Sequence, residues 1–190
     1  MLDALTVATI LQVSPPPPIG LDELVRSASH VVLLRVTALH DVHDDAASLA
    51  VREVIEANIS RVLKGPSIGP TVFVPFDLWW RPDITSIRIG DEAIVFLKAS
   101  VKFPLSPYAM RELRQLKGAS PAIGGARSHW GYFPIINETA VASGGIILGM
   151  RAKPWTPGHV SGPSVVDLEE LIIEIERLVG SRSPGRPTMR

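Results

Sequence analysis

His40 and His43, interleaved with Asp41, Asp44 and Asp45, are the one set of side chains in this 190-residue chain whose types and spacing could hold a metal. Zinc and calcium need nitrogen and oxygen ligands that converge on one point. An H-x-x-H spacing in a loop can converge, but no third histidine lies nearby, so the stretch reads as a solvated polar connection and no metal is expected. Nucleophilic chemistry fares no better. A serine hydrolase would place G-x-S-x-G on a strand–turn–helix, and the chain has none; Ala142–Gly145 is a flexible turn. Phosphate-cradling glycine loops and H-E-x-x-H are likewise missing from the sequence. The acid pairs Asp44-Asp45, Asp91-Glu92 and Glu169-Glu170 fall in turns or on the wet face of a helix. With no cysteine, thiolate zinc sites, iron–sulfur clusters, disulfides and cysteine nucleophiles are excluded. No catalytic residue and no cofactor is assigned, and an enzyme is not expected.

The chemistry left is aromatic. Two of the four tryptophans are adjacent in "PFDLWWRPD", Pro75 to Asp83. The run from Pro70 to Trp80 alternates: Val72, Val74, Phe76, Leu78 and Trp80 share one parity, Phe73, Pro75 and Trp79 the other. Trp80 is thereby expected to finish an inward row and Trp79 to lie on the face of Phe73. An exposed tryptophan beside Arg81 could stack a sugar ring or a nucleobase, so Phe73, Trp79 and Arg81 are the candidate ligand-binding residues. Packing against the core is the competing reading for Trp79. Trp130, beside Tyr132 and Phe133, and Trp155 are expected as lids over the core. Asn58-Ile59-Ser60 and Asn137-Glu138-Thr139 match the acceptor pattern for glycosylation, which matters only in a eukaryotic secretory setting.

The elements that must position these residues are mostly strands. Leu21, Leu24, Val25 and Ala28 have helical spacing behind Asp22 and Glu23, a short helix with charges suited to its dipole. "HVVLLRVTAL", from His30, is β-branched and apolar, as a strand buried on both faces would be. Leu49–Gly65 reads as a strand with Val51, Ile55, Ala57 and Ile59 on one parity and a bulge or early turn near Glu53, ended by Lys64-Gly65-Pro66; a helix is the competing reading. Pro75 cannot donate to a ladder and assigns Pro70–Trp80 to a sheet edge or a bulge. Ala93–Leu97 has the continuous apolar character of a central strand. Seven prolines and nine glycines between Pro104 and Pro163 predict loops and short hairpins, one of them turning at Asn137-Glu138. The last element, from Ser164, is an amphipathic helix with Leu168, Leu171, Ile172, Ile175, Leu178 and Val179 in one stripe. A capping arrangement of Ser164 and Asp167 is expected to open it and Gly180 to close it.

Composition sets the outer bounds. Hydrophobic residues at 46% and charged residues at 20% fit one globular domain rather than a disordered chain. Nineteen basic residues balance nineteen acidic ones, so no net field recruits nucleic acid or anionic membrane. No apolar run reaches the roughly 20 residues of a membrane-spanning helix. Residues 1–18 read as an apolar leader and polyproline spacer, residues 19–180 as the domain, residues 181–190 as a disordered tail. Ala4–Val13 has the length of a signal-peptide core but follows Asp3 and no basic residue. An extracellular or periplasmic location is expected if it is a truncated or degenerate signal, and a cytoplasmic one otherwise.

"LDELVRSAS" running into "HVVLLRVTAL", then "ISRVLKGP", "TVFVP" and "IGDEAIVFL", a late hairpin and a closing helix, is an order that resembles a known group. It is similar to the small OB-like barrel domains of bacterial proteins, often exported, that share the fold of the netrin-like module and the tissue inhibitors of metalloproteinases. The resemblance spans Leu21 to Val179. It implies a mainly β fold: a small OB-fold-like β-barrel with a short N-terminal helix and an amphipathic C-terminal helix. Those inhibitors chelate the protease zinc through an N-terminal cysteine, a mechanism closed to a chain without cysteine. The resulting expectation is a non-catalytic binding or interaction domain whose ligand is left open, a protein being one candidate and nucleic acid disfavoured by the balanced charge. The alternatives are binding of an oligosaccharide or single-stranded nucleic acid at the Phe73–Arg81 face and, last, an enzyme with an unrecognised site.

Overall fold

Apolar residues at alternate positions build a sheet with two buried faces. The computed structural model describes residues 19–41, 53–76, 87–98, 124–125, 131–142, 146–148, 150, 153–154 and 163–181. In chain order the elements are β1 (Ile19–Gly20), α1 (Leu21–Ser27), β2 (His30–Asp41), β3 (Glu53–Lys64), β4 (Thr71–Phe76) and β5 (Glu92–Lys98). They continue with β6 (Gly124–Gly125), β7 (Tyr132–Ile136), β8 (Thr139–Ala142), β9 (Ile146–Ile147), β10 (Lys153–Pro154), β11 (Ser164–Asp167) and α2 (Leu168–Gly180). One antiparallel sheet runs β10-β11-β8-β7-β5-β2-β3-β4, with β6 added to β5; β1 and β9 form a separate parallel pair. The fold is mainly β with two flanking helices. β2 and β5 are central, and β4, the strand with Pro75, is the edge.

Strand parity divides the core. On one face Val31, Leu63, Ile94, Phe96, Phe133, Ala140 and Val166 pack with Leu24 and Val25 of α1 and Leu171, Ile172 and Ile175 of α2. Phe96 and Phe133, both fully buried, meet with ring centroids 5.1 Å apart. On the opposite face Val32, Leu34, Val36, Ile55, Ala57, Val72, Val74, Ala93, Val95, Leu97 and Tyr132 form a second buried cluster. The inward parity expected of Val72 and Val74 is thus observed.

The closed OB-like barrel expected from the sequence is not formed: among the described residues no ladder joins edge strand β4 to the other edge, and the sheet stays open. β6 approaches β4 as well as pairing with β5, so the sheet curls without closing. The source of the curl is a set of bulges. The bulge expected near Glu53 lies elsewhere: the β2–β3 register slips at Thr37, at Ser60 and at Leu63, each an extra residue in one strand. An extra residue bends a strand and raises its twist.

Two further expectations are corrected at α2. Ser164 belongs to β11, which pairs with β8, because Val165 and Val166 are β-branched residues facing Val141 and Ala140. The helix N-cap is Asp167 alone, whose Oδ1 accepts from the Glu169 and Glu170 amides at 3.0 and 3.1 Å. Gly180 is a helical residue and not the stop; Ser181 caps the end in right-handed conformation, its N–H bonded to Arg177 O.

The end of α1 explains the "LKGP" stretch. Lys64 Nζ donates to the Val25 carbonyl at 2.6 Å and to the Ala28 carbonyl, groups left unpaired where a helix stops. Gly65 follows at φ +93°, close against Ser29 and His30. No helix among the described residues is long and apolar enough to cross a membrane.

Candidate functional site

Thr37, the extra residue in β2, decides which side chains meet at the far end of the sheet. Up to Val36 the even-numbered residues of β2 face the second core; beyond the bulge Leu39 takes that role. His40 is thereby turned to the opposite face, where Glu56 lies two residues along β3 from Val54, the register partner of His40, and Phe73 lies directly across from Glu56 on β4. Thr37 Oγ1 donates to the Glu56 carbonyl at 3.1 Å and fixes the bulge to the neighbouring strand.

His40, Glu56 and Phe73 form one half-buried group. His40 Nε2 lies 2.9 Å from Glu56 Oε2, with the two side chains 20% and 25% exposed. The His40 and Phe73 rings are 6.2 Å apart at an angle of 36°, a tilted contact. Val54, on the same face in register with His40, is fully buried. Leu63 is the β3 residue in the helix-side core, and no β4 residue belongs to it among the described residues. The arrangement presents a carboxylate acceptor, an imidazole and an aromatic face side by side at a sheet edge. Such a set binds by hydrogen bonds and apolar contact together.

Phe73 is the sequence candidate that falls here; Trp79 and Arg81 lie outside the described residues, as do Trp80, Trp130 and Trp155. Of the histidine–aspartate stretch, His40 and Asp41 end β2, and His43, Asp44 and Asp45 lie outside the described residues. Among the described residues no group of three or more His, Asp or Glu side chains is placed to hold a metal ion. Glu56 belongs to no motif and is not among the sequence candidates. The signal that could have found it is the apolar series Val32, Leu34, Val36, Leu39, whose last step of three residues marks a bulge and puts His40 opposite β3.

No protein-family model matches this chain, and no curated protein matches it either.

Proposed function

We propose that this chain is a non-catalytic interaction domain that takes a protein partner at the far end of β2, β3 and β4. The observation that carries the reading is the half-buried His40–Glu56–Phe73 group, which spans β2, β3 and edge strand β4. Hydrogen-bonding groups flanking an aromatic ring are the usual make-up of an interface anchor. Balanced charge favours a protein over a nucleic acid, whose affinity would depend on neutralising phosphates. Kinship with the OB-like and netrin-like modules belongs to the same proposal. The order of helix, strands, hairpin and closing helix supports it, and the open sheet sets this chain apart from a closed barrel.

The test is affinity enrichment on immobilised wild-type chain and on Phe73→Ala, read by quantitative mass spectrometry. Proteins enriched on the wild type and depleted on Phe73→Ala support the reading. Retention on single-stranded DNA that falls with salt, or enrichment indifferent to Phe73, would overturn it.

A further inference from the structure

His30 is the buried polar side chain of the described core, 7% exposed. Its Nδ1 lies 3.2 Å from Ser29 Oγ, and that hydroxyl donates to the Leu97 carbonyl at 3.0 Å. With its proton engaged, the hydroxyl accepts from His30, which assigns the hydrogen to Nδ1 and leaves Nε2 as the bare acceptor. Nε2 is buried and has no hydrogen-bond partner. Gly65 packs so closely on the ring that even a methyl group there would meet it.

The neighbour of this histidine is the residue that holds α1. Lys64 bonds the Val25, Arg26 and Ala28 carbonyls through its ammonium group. Burial first, and the Lys64 charge second, push His30 below its ordinary pKa. The other charged residues on the described elements packed here are Asp22, Glu23 and Arg26 of α1, Arg35 and Asp41 of β2, Glu53, Glu56 and Arg61 of β3, and Glu92 and Lys98 of β5. Asp22 and Arg26 bind each other at 2.8 Å, and Glu92 and Lys98 are exposed. None of these supplies the acceptor that an imidazolium at this position would need.

We propose that His30 and Lys64 form an acid-operated latch on α1, in which a proton on Nε2 sets an imidazolium without an acceptor beside the capping ammonium and releases the helix from the sheet. The proton binds more tightly to the released state, where the imidazolium is hydrated, and that difference in affinity drives the shift. Release uncovers Leu21, Leu24 and Val25, which α1 buries when docked.

Hydrogen exchange by mass spectrometry on the full chain, corrected for intrinsic rates, tests this between about pH 7.5 and about pH 5, either side of the ordinary histidine range. In the wild type, protection of α1 amides should fall severalfold at the lower pH while α2 keeps its protection; in His30→Gln, α1 should lose none. Equal loss in His30→Gln, equal loss in both helices, or no loss in the wild type would overturn the latch. If His30→Gln does not fold, the wild type decides by NMR. The His30 ring proton must titrate below the free-histidine range with the α1 amides moving at the same midpoint, and a normal midpoint or uncoupled amides would refute the proposal.

Discussion

Gly65 offers a substitution whose cost can be worked from geometry. It adopts φ +93°, and a β-carbon added there would lie 2.6 Å from the Ser29 carbonyl oxygen and 2.5 Å from His30 Cδ2. The first obstacle is backbone and cannot swing aside. A non-glycine residue in left-handed conformation costs roughly 1–2 kcal/mol, and forcing a methyl into a packed site roughly 1–3 kcal/mol more. Alanine recovers about 0.4–1 kcal/mol by restricting the unfolded chain. Gly65→Ala is therefore expected to destabilise by roughly 1–4.6 kcal/mol, centred near 3. Gly69 and Gly90 are internal controls, with φ +93° and +97° and nothing within 4 Å of an added β-carbon. Their alanine variants carry the conformational term alone, roughly 0–1.6 kcal/mol after the unfolded-state gain. Urea unfolding followed by far-UV circular dichroism gives all three values. A Gly65→Ala cost within about 0.5 kcal/mol of Gly69→Ala, roughly the error of such extrapolations, would refute the packing of this turn on His30 and Ser29.

Three other outcomes are expected. Asp167→Ala removes the acceptor for two amides at the start of α2 and should cost about 0.5–2 kcal/mol in urea unfolding, with Asp167→Ser recovering most of it. Glu138 sits at φ +60° in the β7–β8 turn, so Glu138→Gly should raise stability by about 0.5–1 kcal/mol; the Leu168 amide bond to its carbonyl is backbone and survives. His30 holds its proton more weakly folded than unfolded, so its contribution is complete above about pH 6.5 and is lost as pH falls from there towards the lowered folded value. Urea midpoints for wild type and His30→Gln across that window should converge in slope above it and diverge below.

Much of the fold follows from patterns that act locally. α1, β2, β5, the β7–β8 hairpin and the stripe of α2 each repeat a buried position at a fixed period, and of the edge or bulge that Pro75 allows, β4 is the edge. What escapes is the break in period. Thr37, Ser60 and Leu63 shift the register by one residue apiece, and nothing in their side chains announces it, because a bulge is settled by which neighbours on both faces must be buried. The curl of the sheet and the pairing of His40 with Glu56 both descend from those shifts. β11 was hidden for a different reason. Four residues ending in a helix cap read as helix until β8 is known to lie alongside. Phe73 was legible from parity, whereas Glu56 became a partner for His40 only through the bulge.

The claim that binding occurs at the far end of β2, β3 and β4 is tested most directly by photo-cross-linking from within the native cell. A benzophenone amino acid in place of Phe73 keeps an aromatic side chain at the site, and the same group at Ile173, exposed on α2, serves as the control. A discrete protein adduct from position 73 that is missing from position 173 is the expected result. Irradiation that yields no adduct from position 73, or the same adduct from both positions, would contradict it.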